Sequence, residues 1–245
     1  MALAKSLGFH DKLIEITLER IRELNSQKSP VKGFIQHPIE KESFRLIGRE
    51  LGETGFSTSE LNIVKRVIHT TADFDFKNTM RFSSGALSAG ITAIKNGANM
   101  VTDVKMVEAG ISKERLAGFG NGRVICFSRA GFPAEKAVGT GAATQTALAM
   151  QKAAPYINGA IVVIGNAPTA LAELLRLAEK GLVKPALVIG VPVGFVGAVE
   201  AKQELFDSGL DFITCLGRKG GSTVAVSVAN GVVIEALGGI NANAG

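Results

Sequence analysis

The chain has 245 residues, of which 46% are hydrophobic and 20% charged, and its formal net charge is +5. This composition is typical of a folded globular domain with a sizeable core, and it excludes a disordered chain. The small positive excess favours anionic ligands, but no basic run interleaved with aromatic residues occurs, so we expect no nucleic-acid partner.

The sequence also lacks the usual signals for membranes and metals. No apolar stretch reaches the ~18 residues that a membrane span needs, and the N-terminus has no apolar signal-peptide core. The two cysteines, Cys126 and Cys215, each lie in an apolar run, which predicts two buried thiols in strands, with a disulfide as the alternative. Because no Cys/His spacing suits a structural metal, we expect a soluble, cytoplasmic protein without a metal of its own.

The first 80 residues predict helices that pack against the rest of the chain. We assign residues 1–35 to an N-terminal helical arm with its linker, and residues 36–240 to a single domain. After a first helix in the arm, a second helix is predicted over Pro38–Leu51. A third begins after Ser57, which forms a capping box with Glu60, and ends near His69.

Beyond residue 80, apolar runs of strand length alternate with Gly/Ala-rich helical stretches. The predicted strands are Met100–Thr102, Val124–Phe127, Ile161–Ile164, Ala186–Ile189 and Phe212–Thr214. The predicted helices are Ser84–Asn96, Ala134–Ala153, Thr169–Lys180, Ala198–Phe206 and Ser222–Leu237. This alternation predicts a three-layer α/β/α fold with a mainly parallel sheet covered on both faces.

Two of the predicted strands stop at a glycine and continue into a turn that contains proline. Because ligands bind beyond the carboxyl ends of parallel strands, we expect both turns to line one crevice. In the first, Asn166 can cap the next helix and Pro168 suits its first turn, so that free N–H groups, with Thr169, form a carboxylate site. In the second, Gly194 permits close approach of a ligand and Phe195 can stack on a flat one. The alternatives are a turn that binds nothing and a phenylalanine used only for packing.

His69 is the candidate proton donor, because it lies at the end of a predicted helix beside the hydroxyl of Thr70 and because imidazole titrates near neutral pH. A capping or surface histidine is the alternative. Arg218 precedes two glycines and a helix, which indicates either a carboxylate clamp or a basic turn. The segment Gly118–Gly122 resembles a phosphate-binding loop only loosely, which argues against a nucleotide-binding enzyme.

Six segments together resemble the precorrin-8X methylmutases, also called cobalt-precorrin-8 methylmutases, of corrin biosynthesis. The segments are Ile39–Phe44, Val67–His69, Asp103–Ile111, Gly165–Leu171, Pro192–Val196 and Gly220–Ser222. The order Asn-Ala-Pro-Thr-Ala-Leu followed by Pro-Val-Gly-Phe-Val is a specific signature. The resemblance runs from about Ile39 to Ala236.

The resemblance implies an α/β homodimer with its site near the subunit interface. It implies an isomerase that moves a methyl group from one carbon of ring C to its neighbour on (cobalt-)precorrin-8, giving hydrogenobyrinate or its cobalt-containing counterpart cobyrinate. The family's catalytic histidine matches His69, and Ser43 matches a position close to the substrate. Such a substrate carries many carboxylates, which fit Asn166, Thr169 and Arg218. No cofactor is implied, since the methyl group is part of the substrate, and any cobalt would belong to the substrate.

Three segments depart from the family pattern. Gln145 stands where the family often has an arginine, which removes a carboxylate partner that Arg129 or Lys152 would have to replace. Ala201 stands where the family usually has a serine, and Phe127–Gly131 is unlike the family's acidic turn. The alternative function is therefore a corrinoid-binding or carrier protein on the same scaffold.

Overall fold

The computed structural model describes residues 34, 36–127 and 144–239. Of the predicted N-terminal arm, residues 1–35, the structure describes Phe34 alone. The rest of the arm and the segment that contains Arg129 lie outside the described residues. The helices are α1 (Pro38–Leu51), α2 (Thr58–Thr71), α3 (Phe76–Thr79), α4 (Ala86–Lys95), α5 (Lys105–Gly110), α6 (Lys113–Ala117), α7 (Gln145–Ala153), α8 (Pro168–Glu179), α9 (Ala198–Asp207) and α10 (Ser222–Ala236). The strands are β1 (Met80–Phe82), β2 (Met100–Thr102), β3 (Val124–Cys126), β4 (Ile161–Ile164), β5 (Leu187–Gly190) and β6 (Phe212–Cys215).

These strands form one six-stranded sheet in the order β1-β6-β5-β4-β2-β3. All neighbouring pairs are parallel except β1 with β6, where Met80 lies opposite Cys215. The predicted mainly parallel sheet is therefore confirmed. No sequence pattern predicted β1, because its three residues, with Arg81 at the centre, are too few to show an alternation of apolar and polar side chains.

Both faces of the sheet are covered, which explains why its central strands are apolar without interruption. Ile161 and Val163 of β4 face a core shared with α2, α4 and α10, whereas Val162 and Ile164 face a second core shared with α8 and α9. All four side chains are fully buried. The three-layer α/β/α fold is confirmed.

The helix signals in the first part of the domain were accurate. Both α1 and α2 have the predicted bounds, and the capping box is formed: the Ser57 N–H donates to Glu60 Oε2 at 2.8 Å, and the Glu60 N–H to Ser57 Oγ at 3.4 Å. Four buried residues of α2 join the core beneath α10. Helices α1 and α2 thus belong to the same domain as the sheet.

Cys126 and Cys215 are both free thiols, and Cys215 is buried while Cys126 is half-buried. The prediction of strand thiols is therefore confirmed, with one of them less buried than expected. Among the described residues, no helix combines the length and the apolar character needed to cross a bilayer.

Candidate active site at the carboxyl ends of the strands

The parallel strands deliver their loops to one end of the sheet, and backbone hydrogen bonds join two of those loops. The Gly221 N–H after β6 donates to the Val191 carbonyl after β5 at 2.8 Å. The Gly194 N–H donates in return to the Arg218 carbonyl at 3.1 Å. The loop after β5 and the loop after β6 therefore form one surface, which adjoins the turn after β4 because β4 and β5 are neighbours in the sheet.

The turn after β4 does not have the free donors that its sequence suggests. The carboxylate of Asp103, from the end of β2, accepts the N–H groups of Gly165, Asn166 and Ala167 at 3.2, 2.8 and 2.9 Å. Burial raises the pKa of Asp103, and these three donors offset part of that effect. The expectation that these N–H groups bind a substrate carboxylate is therefore wrong, because an internal carboxylate already occupies them.

The start of α8 differs from the prediction in a second way. The N-cap residue is Ala167, and no side chain caps the helix, so Asn166 is not the cap. Pro168 does lie in the first turn, as predicted. The side chains of Asn166 and Thr169 remain exposed at the surface of the site, and the Thr169 hydroxyl lies 2.5 Å from that of Thr146 at the start of α7.

His69 lies in the last turn of α2 and is exposed. Its ring packs on that of Phe44, with centroids 5.7 Å apart and planes inclined by 57°. Ser43, the residue before Phe44 in α1, is half-buried. After Thr71 the chain turns sharply at Ala72, whose φ of 53° is in the left-handed region that most residues avoid.

A cavity of about 380 Å³ opens between α2, α5 and α10. His69 is not among the residues that line it, but Thr70, the next residue of α2, is. Arg66 and Thr70 of α2 line it together with Ser222 and Thr223 at the start of α10. Thr70 is anchored by a 2.7 Å hydrogen bond between its hydroxyl and that of Ser227. The cavity therefore combines hydroxyl groups with a cation.

The sequence analysis did not predict Arg66 as a residue of the site. Its guanidinium pairs with Glu40 at 2.9 Å and lies 5.4 Å from the ring centroid of Phe44. Burial lowers the pKa of Arg66, and Glu40 opposes that effect. The available signal was spacing: Arg66 and Thr70 are four residues apart, so they share one face of α2.

A cationic side chain connects the end of α2 to the loop after β6. Lys219 Nζ lies 2.7 Å from Asp73 Oδ2 and 3.1 Å from Asp75 Oδ2. The hydrogen bond from Lys219, with a further one from the Asp75 N–H, lowers the pKa of Asp73. Both aspartates belong to the turn that follows His69, so His69 and the loop that carries Arg218 lie at the same end of the molecule.

Arg218 and Phe195 meet across the two joined loops. The guanidinium carbon of Arg218 lies 5.3 Å from the Phe195 ring centroid. Phe195 is 82% exposed and Val196 is 89% exposed, so this surface presents an aromatic face that the rest of the described chain leaves uncovered. Gly194 has a φ of 157°, a backbone conformation that residues with a side chain rarely adopt.

Gln145 is the first residue of α7, after the N-cap Thr144. Its Oε1 atom is buried, and it has no hydrogen-bond partner among the described residues. The structure thus places the departure from the family pattern next to the Thr146–Thr169 contact. Arg129 lies outside the described residues.

The assembled groups suit acid catalysis on a large anion. An exposed imidazole directly precedes Thr70, one of the residues that line a cavity with a cation and hydroxyls. At the same end of the molecule an arginine packs on an aromatic ring. Within residues 34, 36–127 and 144–239, no three His, Cys, Asp or Glu side chains cluster as metal ligands would. The fold and the site define an α/β protein with one candidate proton donor and a polar binding surface at the carboxyl ends of its strands.

Comparison with known proteins identifies the family. The family model for precorrin-8X methylmutase matches residues 38–235. A cobalt-precorrin-8 methylmutase of Priestia megaterium is 45% identical over 82% of this chain and 89% of its own length. A precorrin-8X methylmutase of Pseudomonas aeruginosa is 40% identical over 80% of this chain and 94% of its own length.

A solved structure, that of the precorrin-8X methylmutase from Thermus thermophilus, matches with a TM-score of 0.74 at 40% identity. The match covers 84% of this chain and 98% of that one. The chain therefore belongs to the precorrin-8X methylmutase family, whose members are isomerases of cobalamin biosynthesis that catalyse a methyl migration.

Proposed function

We propose that this chain converts (cobalt-)precorrin-8 into hydrogenobyrinate or its cobalt-containing counterpart by moving a methyl group between adjacent carbons of ring C, with His69 as the acid. The bond from the methyl group to the first carbon breaks as the bond to the second forms, so nothing enters or leaves the molecule. Such a step needs one proton donor and a slot that orients the ring. The observation that carries the proposal is the exposed His69 imidazole, which packs on Phe44 and directly precedes Thr70 of the cavity lining.

His69 donates a hydrogen bond or a proton to the macrocycle, which draws electrons into the ring as the methyl group migrates. A proton that is transferred is matched by the loss of one from the macrocycle after migration, so substrate and product remain isomers. The tilted contact with Phe44 limits the orientations that the imidazole can adopt. Ser43, the residue before Phe44, is positioned to contact the same part of the substrate. Thr70 contributes its hydroxyl at the rim of the cavity.

Carboxylate arms of the substrate bind at the start of α10 and at two cations. The first N–H groups of a helix have no intrahelical partner, and in α10 no side chain caps them. They therefore attract anions. Arg66 faces the cavity and Arg218 faces the Phe195 ring. Gly194 and Phe195 form a face for the flat ring, and the side chains of Asn166 and Thr169 form its far edge.

The protein works as a homodimer in the cytoplasm, with no nucleic acid or membrane among its partners. The exposure of Phe195 and Val196 supports a second subunit near the site, because apolar side chains so exposed are usually covered in the functional state. Two free thiols suit a reducing compartment. The reaction needs no cofactor because donor and acceptor carbons belong to one substrate, which also supplies any cobalt.

The test is turnover of precorrin-8, with and without cobalt, followed through the change in the corrinoid absorption spectrum. His69→Ala should lower kcat by about 10²–10⁴-fold, the usual contribution of a general acid. The variant should still bind the product. His37→Ala is the matched control: His37 Nδ1 accepts the Ile39 N–H at the start of α1, so its loss costs stability but not turnover.

The same pair of variants separates an isomerase from a carrier. A carrier would bind corrinoid and leave the precorrin unchanged in both wild type and variant. If His69→Ala converted precorrin-8 at the wild-type rate, His69 would not be the acid.

A further inference from the structure

Lys202 of α9 is a lysine whose side chain has 0% exposure, and the proposed reaction does not use it. Its neighbours on the buried side of the helix are Ala198, Ala201 and Leu205. The Nζ atom donates to the carbonyl oxygen of Lys219 at 2.7 Å. Because an ammonium loses much of its hydration on burial, lysine is rarely buried in this way without a specific partner.

The Lys219 carbonyl receives a second buried donor. The Cys215 thiol donates to it at 3.2 Å, and burial raises the pKa of this thiol to about 11. Two buried donors therefore fix one peptide group in the loop after β6. Next to that peptide, Gly220 leaves no room for a side chain, since an added Cβ would collide with the Val191 carbonyl.

The side chain of the same residue faces the active site. While the Lys219 carbonyl is held from inside the protein, the Lys219 ammonium pairs with Asp73 and Asp75 in the turn after His69. Without that ammonium, two carboxylates would face a polycarboxylate substrate. Like charges at such distances repel and weaken binding.

We propose that Lys202 is a positioning residue for the active site: by holding the Lys219 carbonyl, it directs the Lys219 ammonium onto Asp73 and Asp75, which lowers the repulsion of a carboxylate-rich substrate. The role in catalysis rests on the proposed function, whereas the positioning of Lys219 is independent of it. Lys202 contacts the substrate at no point in this scheme.

The first test is Lys202→Met, which keeps the length of the side chain and removes the charge. Replacing a buried charge by an apolar side chain of similar volume is often neutral or stabilising, so we expect a folded protein with an undiminished melting temperature. KM for precorrin-8 should rise about 10-fold, equivalent to ~1.4 kcal/mol of binding, with kcat changed less. Lys180→Met, at the exposed end of α8, is the control and should leave KM unchanged.

A double-mutant cycle with Lys219→Met tests the route of the effect. If Lys202 acts through the Lys219 ammonium, Lys219→Met should also raise KM about 10-fold, and adding Lys202→Met should change it little further, because contacting residues in one network couple strongly. The rise caused by Lys219→Met should shrink at high salt. Additive effects on KM would overturn the proposal.

A readout that needs no substrate separates this proposal from the proposed function. In the wild type the pKa of the Asp73 carboxyl is lowered, first by the hydrogen bond from Lys219. NMR titration should show that pKa moving back towards its ordinary value in Lys202→Met and in Lys219→Met, but not in Lys180→Met. If the wild type did not turn over precorrin-8 but the Asp73 shift were observed, the proposed function would fail and the positioning role would stand. An unchanged Asp73 pKa in Lys202→Met would overturn the proposal.

Discussion

The turn after β4 and the turn after β6 both contain glycine and lead into a helix, but their buried partners have opposite polarity. In the first, a buried acceptor, Asp103, takes up three backbone N–H groups. In the second, two buried donors, Lys202 and Cys215, take up one backbone carbonyl. Neither of the helices that follow has a side-chain cap. The two turns therefore differ in their internal partners: three N–H groups of the first turn are occupied by a carboxylate, whereas the second turn offers its buried partners only a carbonyl.

The comparison teaches that a glycine-ended strand followed by a helix does not by itself make an anion site. What decides is the internal partner of the turn, which is distant in sequence: Asp103 lies 62 to 64 residues before the N–H groups that it accepts. Four predictions test this difference, beginning with the largest expected effect.

Removing the internal acceptor should be the most disruptive change. Asp103→Leu leaves three N–H groups in a buried turn without a partner, and we expect a loss of at least about 3 kcal/mol in the free energy of unfolding, at ~1–3 kcal/mol for each unsatisfied group. Asp103→Asn, which keeps one oxygen acceptor, should lose less. The measurement is urea unfolding.

The control for that experiment is Asp211→Asn, because Asp211 accepts a single side-chain hydroxyl, that of Ser83. It should cost ~1 kcal/mol. If Asp103→Leu were as stable as the wild type, the turn after β4 would not depend on its internal carboxylate.

A side chain at Gly220 should disturb the second turn. The residue has a φ of 148°, and an added Cβ would collide with the Val191 carbonyl, so Gly220→Ala should cost about 2–4 kcal/mol from strain and overpacking. Gly209→Ala is matched, since its φ is 74° and no described atom lies within 4 Å of the added Cβ. It should cost only ~1–2 kcal/mol. Equal unfolding free energies for the two variants would contradict the tight fit of the loops.

Substrate binding should respond to the second turn more than to the first. Arg218→Met removes a cation beside the Phe195 ring and should raise KM for precorrin-8 by about 5–10-fold, the value of a partly exposed charged hydrogen bond. Thr169→Val should change KM by less than about 3-fold, because neighbouring N–H groups are occupied by Asp103. Arg123→Met, at the start of β3 and thus at the opposite end of the sheet, is the control. A larger KM effect at Thr169 would reverse the assignment of the two turns.

The last prediction is a dependence of stability on pH, which appears only under alkaline conditions. Since burial raises the pKa of the Cys215 thiol to about 11, the folded protein keeps this proton after the unfolded chain, with an ordinary pKa of about 8.5, has lost it. Stability from this group is complete below pH ~8.5 and falls as the pH rises towards ~11, with a slope of up to ~1.4 kcal/mol per unit.

Cys215→Ala should remove that slope, while Cys126→Ala at the less buried thiol should keep it. The measurement is the free energy of unfolding in urea between pH 8 and 11. Identical slopes in wild type and Cys215→Ala would show that this thiol ionises freely in the folded state.

Local signals predicted most of the elements that frame the site. The capping box of Ser57 set the start of α2, and the unbroken apolar runs set β2 and β4. The strand β1 could not be found, because its pairing with β6 joins segments far apart in the sequence. Local patterns report burial and periodicity, not distant partners.

The same limit applies to the site. His69 and Phe195 were predicted from local patterns and Ser43 from the family resemblance, and the structure packs His69 against Phe44, the residue that follows Ser43. Arg66, Asp103 and Lys202 were missed, since their roles depend on contacts between separate elements. A buried lysine in particular resembles any surface lysine of an amphipathic helix until the packing is known.

The most direct test of the whole account is a crystal structure of the protein with its corrinoid product bound. We predict the His69 imidazole within hydrogen-bond distance of the macrocycle, carboxylate arms at the start of α10 and at Arg66 or Arg218, and Asp103 still holding the N–H groups of Gly165–Ala167. A macrocycle bound away from His69, or a product carboxylate that displaces Asp103 from that turn, would contradict it.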